Sequence, residues 1–259
     1  MKKFLVLFFS IFICSIAHAD TETINWYVDG NSYATTTCQT GGDIILSNTP
    51  YKYGYTFQGW SAYTPIEYLE FKGMQYIDLN YKFNGTISVV EANIYMPDNI
   101  GLTNSSYTLI ATQNNSSARW GSIQFYGGYL QSGVGNTPAS NNLIPVINNF
   151  KTYIKATTDV NQKTLSITYN NISANVSFSG DVYTDQNATI GCKNMNNQKS
   201  EYFIGKVYDF KLSVDNVLIY NLIPVLDKNN VPCMYDKVTK QFFYNQGTGN
   251  FIAGPVINQ

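Results

Sequence analysis

The sequence predicts an all-β protein, an antiparallel β-sandwich, on three observations. Strand formers dominate: there are 21 Tyr and 15 Phe among 259 residues, with frequent Thr, Ile and Val and only 13% charged side chains. Apolar and polar residues alternate with a period of two in one stretch after another, and turn pairs such as Asp-Gly, Asn-Gly and Asp-Asn punctuate them. No stretch of any length has the three-to-four-residue apolar spacing of an amphipathic helix.

The chain opens with Lys2 and Lys3, an apolar run from Phe4 to Ile16, and then Ala17-His18-Ala19. A basic start, a 13-residue apolar run and an A-x-A site predict a secretory signal peptide over residues 1–19, cleaved after Ala19. The run is shorter than the ~20 residues that cross about 30 Å of hydrocarbon, so no membrane span is expected. The expected location is therefore secreted, periplasmic or at the cell surface. Cleavage removes Lys2, Lys3 and the chain's one histidine, His18, leaving 14 basic against 17 acidic side chains, a formal charge of −3. Charges of both signs are scattered without long runs, which argues against nucleic acid as a partner.

From Ile24, "INWYVDGNSY" places Asp29-Gly30 between two alternating stretches, the pattern of a β-hairpin. Gly41-Gly42 and Pro50 punctuate a crossing segment. The next stretch, "GYTFQGW", puts Tyr55 and Phe57 on one face of a strand and Thr56, Gln58 and Trp60 on the other. Phe57 and Trp60 are expected inside, because a very small module needs each of its rings for a core. The "VDG" turn, the proline and "GYTFQGW", over Ile24 to Tyr63, resemble the Listeria-Bacteroides repeat, also called the internalin B-type repeat. That resemblance implies a small β-grasp-like module over residues 20–63, present in one copy where the family usually has several.

After Pro65 the pattern changes, and a second domain is expected over residues 64–259. "PIEYLEFKGMQYIDLNYKFNGTISVVEANIYM" reads as three apolar-rich strands divided by Lys72-Gly73 and Asn84-Gly85. "NFKTYIKATTDVNQKTLSITYNN" reads as two strands around Asn161-Gln162, and "GKVYDFKLSVDNVLIYNLIPV" repeats that shape around Asp215-Asn216. The chain closes with "MYDKVTKQFFYNQGTGNFIAGP". Together with "YLEFKGMQYIDLNYK", these segments resemble the laminin-G-like, concanavalin A-like jelly-roll domains of bacterial surface and phage-associated proteins. The resemblance implies one jelly roll and no particular ligand. Cys233 stands where that family usually has glycine before "MYD", and Tyr220 and Asn221 replace a charged pair.

A chain that loses His18 can host no Ser-His-Asp triad, no Cys-His pair and no H-E-x-x-H zinc site. Concanavalin-like glycosidases set acids at i, i+2 and i+4 so that all project from one strand face. Nothing here matches: Glu67 and Glu70 are three apart, on opposite faces of a strand, and Glu91 stands alone in "VVEANIY". No catalytic residue is assigned, and the protein is read as a non-enzyme. Asp181 and Asp185 share the loop "SGDVYTDQN", but read as solvated turn residues, so neither metal nor cofactor is expected.

Sugar binding suits the composition, since aromatic faces stack on the CH groups of a sugar and amides pair with its hydroxyls. "ARWGSIQFYGGYLQSG" concentrates Arg119, Trp120, Gln124, Tyr126, Tyr129 and Gln131, and strict alternation would place Trp120, Gln124 and Tyr126 on one face as a ligand platform. The expected function is that of a lectin-like or adhesive module for a glycan or a cell-surface polymer. The alternatives are a structural surface or phage-like decoration domain without a small ligand, and a glycoside hydrolase. Of the three cysteines left after the leader, Cys192 and Cys233 lie in the same domain and are expected to form a disulfide, with Cys38 unpaired.

Overall fold

The computed structural model describes residues 3–11, 21–28, 31–39, 50–51, 53, 55–61, 63–102, 104–115, 118–137 and 143–257. The Ala17–Ala19 cleavage site, the Asp29-Gly30 turn and Gly41-Gly42 lie outside the described residues, as do the side chains of Phe57 and Trp60. Every regular element among the described residues is a strand. The chain divides into two compact units: residues 1–67 with 225–231 and 255–259, and residues 68–224 with 232–254.

The first unit contains β1 (Lys3–Ile11), β2 (Thr21–Val28), β3 (Asn31–Gln39), β4 (Tyr55–Ser61) and the short β5 (Thr64–Pro65). The first four make one sheet in the order β3-β2-β1-β4, with β1 antiparallel to β2 and parallel to β4. β2 and β3 form the expected hairpin, Val28 opposite Asn31. Ile24 and Trp26 are buried on it, and the Trp26 indole N–H donates to Thr36 Oγ1 at 2.8 Å. β1 comes from the expected leader, so a chain cleaved after Ala19 would lack the strand that joins β2 to β4.

The second unit runs through β6 (Leu69–Lys72), β7 (Ile77–Asp78), β8 (Ile87–Tyr95), β9 (Tyr107–Asn115), β10 (Ala118–Tyr126), β11 (Tyr129–Gln131) and β12 (Ile144–Pro145). It continues with β13 (Lys151–Asp159), β14 (Thr164–Tyr169), β15 (Ile172–Ser177), β16 (Thr189–Ile190), β17 (Lys193–Met195) and β18 (Gln198–Ser200). β19 (Ile204–Val214), β20 (Val217–Leu226), β21 (Pro232–Asp236), β22 (Phe242–Phe243) and β23 (Ile252–Ala253) complete it, although the last residues of β20 belong to the first unit.

These strands form two sheets. One runs β12-β11-β10-β9-β16-β7, with β17 and β18 beside β9; the other runs β15-β14-β13-β8-β19-β20-β21-β22, with β6 on β19 and β23 on β6. The two pack face to face. Trp120 of β10 stacks on Phe83 at 5.3 Å and donates its indole N–H to Ser88 Oγ of β8 at 2.9 Å, and Phe125 of β10 meets Tyr169 of β14 at 6.0 Å. This is the antiparallel sandwich that the alternation predicts.

Asparagine builds the tight turns. Asn170-Asn171, Asn196-Asn197 and Asp215-Asn216 each close a two-residue hairpin with both residues at φ between 48° and 65°, the geometry of a type I′ turn. Only Gly, Asn and Asp reach that region at low cost, which gives the abundant asparagine of the chain a structural use. The closing "MYD" motif is likewise structural. Asp236 is fully buried and its carboxylate accepts from the backbone N–H groups of Asn221 (2.7 Å), Val238 (3.2 Å) and Thr239 (2.8 Å), tying β21 to β20.

Candidate functional site

The strand β8 sits in the middle of the second sheet, with β13 on one side and β19 on the other, and its residues alternate between half-buried and buried along its whole length. Ser88, Val90, Ala92 and Ile94 point into the sandwich, so Glu91, Asn93 and Tyr95 point out. The register carries the same outward face onto the neighbours: Lys151, Tyr153 and Lys155 of β13 lie opposite Tyr95, Asn93 and Glu91, and Lys206, Asp209 and Lys211 of β19 lie opposite the same three.

A β-bulge adds one more ring. Between Val207 and Asp209 the strand β19 advances two residues while β8 advances one, which leaves Tyr208 as the extra residue. Bulges of this kind re-aim a side chain. Here Tyr208 meets Tyr68 edge-to-face at 5.5 Å, and Lys151 Nζ stands 4.1 Å above its ring. Lys206 Nζ lies 4.1 Å from the centre of the Tyr68 ring and 5.0 Å from that of Tyr95. Four tyrosines (Tyr68, Tyr95, Tyr153 and Tyr208) thus share one outward face of the sheet with Lys151, Lys155, Lys206 and Lys211.

The acids on this face are already engaged. The Tyr153 hydroxyl donates to Glu91. Asn93 donates to Asp209 through its backbone N–H and its side-chain amide, the latter at 2.9 Å to Oδ2, and Lys72 pairs with Glu70. Partial burial and then the Glu91 carboxylate push the Tyr153 hydroxyl up to about 12. Lys206 is pulled two ways: burial lowers its pKa, while the Tyr68 hydroxyl, Tyr208 and Glu70 raise it by more, so the group stays charged. Rings, donors, acceptors and cations on one outward face of a sheet suit a polymer with both apolar CH faces and polar groups.

The residues expected from sequence do not assemble into one platform. Two register shifts in β10 against β9, between Trp120 and Ile123 and between Ile123 and Gln124, break the strict alternation on which that expectation rested. Trp120 is turned inward and only 1% exposed, so it is a core residue and not a ligand platform. Gln124 is buried and donates to Ser106 Oγ at 3.0 Å, while Tyr126 and Tyr129 pair across the β10–β11 hairpin, half-buried. Arg119 lies at the far end of β10 with Nη1 buried and without a hydrogen-bond partner, and burial lowers its pKa.

The expected Cys192–Cys233 disulfide is not formed. Cys192 lies between β16 and β17 in one sheet and Cys233 in β21 of the other, and stacked sheets stand ~10 Å apart, beyond the ~7 Å between Cα atoms that a disulfide spans. The Cys192 thiol donates to Thr189 Oγ1 at 3.5 Å, and burial pushes it up to about 11. Among the described residues no group of three or more Asp, Glu, Cys or His converges as a metal site would require.

No protein-family model matches the chain. No curated protein matches it either. Among solved structures, it is similar to a candidate carbohydrate-binding protein of Bacteroides ovatus, at 12% identity and a TM-score of 0.51, over 92% of this chain and 70% of that one. Looser likenesses are to a pentraxin from Limulus polyphemus (8% identity, TM-score 0.46, 75% of this chain and 94% of that one) and to the CBM40 of a Ruminococcus gnavus sialidase bound to α2,3 sialyllactose (13%, 0.44, 57% and 91%). The first of these supports the β-sandwich fold.

Proposed function

We propose that the protein is an exported, non-enzymatic glycan-binding module, lectin-like or adhesive, that acts outside the cytoplasm. The observation that carries the reading is the outward face of β13, β8 and β19, where Tyr68, Tyr95, Tyr153 and Tyr208 stand among Lys151, Lys206 and Asn93. Rings on a core are explained by packing; rings held by a bulge on the solvent side of a sheet are not. The carbohydrate-binding assignment of the Bacteroides ovatus protein agrees with this reading. The motif resemblances to a laminin-G-like domain and to an internalin-type repeat support reading the module as a surface protein.

Retention of the purified protein in polysaccharide-containing native gels, alongside a glycan-array screen, tests the proposal. The double variant Tyr153→Ala/Tyr208→Ala is expected to run unretarded while keeping its circular dichroism spectrum. Equal retention of that variant and the parent protein would overturn it.

A further inference from the structure

Resting on that reading, we infer that the polymer this face takes is a polyuronate, a polysaccharide whose sugar rings bear carboxylates. The inference comes from an imbalance of partners. Each acid on the face already has a partner within the protein: Glu91 has the Tyr153 hydroxyl, Asp209 has Asn93, and Glu70 has Lys72. The cations do not. Among the described residues, neither Lys151 nor Lys206 meets a carboxylate within 4.0 Å, and each rests on a tyrosine ring instead. A cation over an exposed ring is held in place by ~0.5–1 kcal/mol and keeps its hydrogen-bond donors open to an incoming anion.

The cation–ring contacts leave each ammonium beside a ring of the same face. Lys151 stands 4.1 Å from the centre of the Tyr208 ring and Lys206 4.1 Å from that of Tyr68, and a sugar stacks on an exposed tyrosine next to them. Tyr153 is 40% exposed and has room for that sugar. A uronic acid's carboxylate leaves the edge of its ring, where it accepts from a neighbouring ammonium. Lys151 and Lys206 flank Tyr95 on the two neighbouring strands, so the face offers two cations to the acid groups of one chain.

The test uses polygalacturonate, its fully methyl-esterified form with the same backbone and no charge, and a neutral glucan, each in affinity gels with the purified protein. Polygalacturonate is expected to bind best and to weaken as salt is raised. Lys151→Gln/Lys206→Gln should reduce that binding by up to roughly fivefold per lysine, the range for exposed ion pairs, and reduce binding to the esterified polymer by less. Tyr153→Ala/Tyr208→Ala should weaken both. Equal, tyrosine-dependent binding to the charged and esterified polymers overturns the polyuronate inference and keeps the glycan reading; indifference to the tyrosines overturns both. A lysine variant with unchanged thermal midpoint and unchanged polygalacturonate binding also sinks the inference.

Discussion

Replacing Trp120 with alanine should damage the fold and leave ligand contacts untouched, the reverse of what a binding platform would show. The side chain is 1% exposed, lies parallel to Phe83 within 13° at 5.3 Å, and hydrogen-bonds to Ser88, itself 2% exposed. Truncating a core Trp costs about 3–5 kcal/mol, and the buried Ser88 hydroxyl left without its donor adds about 1. For a domain of this size each kcal/mol moves the thermal midpoint by ~2–4 °C, so a fall of roughly 10–20 °C is expected. Trp120→Phe keeps a ring and loses the N–H, and should cost only about 1–2 kcal/mol. Urea and thermal unfolding followed by circular dichroism read the loss, and polysaccharide retention is measured where the variant is still folded. An unchanged midpoint with abolished retention would refute the assignment of Trp120 to the core.

Stability should decline as pH rises from about 10 towards 12, because the unfolded chain releases a tyrosine proton that Tyr153, pushed up to about 12, retains. Urea midpoints across that range should fall less steeply for Tyr153→Phe. Cys192, fully buried and pushed up to about 11, should react with a thiol reagent at pH 8 only after denaturant is added, and peptide mapping should find no bridge to Cys233. Asp236→Ala strips three backbone N–H groups of their acceptor and should cost at least about 3 kcal/mol in chemical unfolding, whereas a surface acid such as Glu67 should change little. Residues 64–259 expressed alone should unfold in one cooperative transition; a molten or unfolded spectrum would show that the domain limit at residue 64 is misplaced.

Alternation and turn pairs made much of the fold legible. The Asp215-Asn216 turn, the strands on either side of it and the meander after Asn149 follow from period-two patterning alone, since both are local signals. Two things were not legible. The bulges that turn Trp120 inward and Tyr208 outward insert a residue into one strand relative to its partner, and a partner cannot be read from one strand. The outward residues of "EANIY", "KTYIK" and "GKVYDFK" were each visible as polar or ring-bearing positions, but the order β13-β8-β19 that brings them together is non-local. "ARWGSIQFY" drew the sequence reading because its rings are contiguous in the chain, whereas the structure gathers its surface rings from four separate segments.

The order of strands around β8 also sets a timetable. β13, β14 and β15 close through short turns, as do β19 and β20, and such hairpins form within about 1–10 μs. Asn93 and Asp209 are 116 residues apart, which at a synthesis rate of ~5–20 residues per second separates their emergence by roughly 6–23 s. Tyr153 joins Tyr95 only about halfway through that interval, and Lys206 and Tyr208 arrive at its end, so the cation–ring surface is incomplete until then. The cation–ring face is complete only when β19 docks, before β20 to β23 have all joined its sheet.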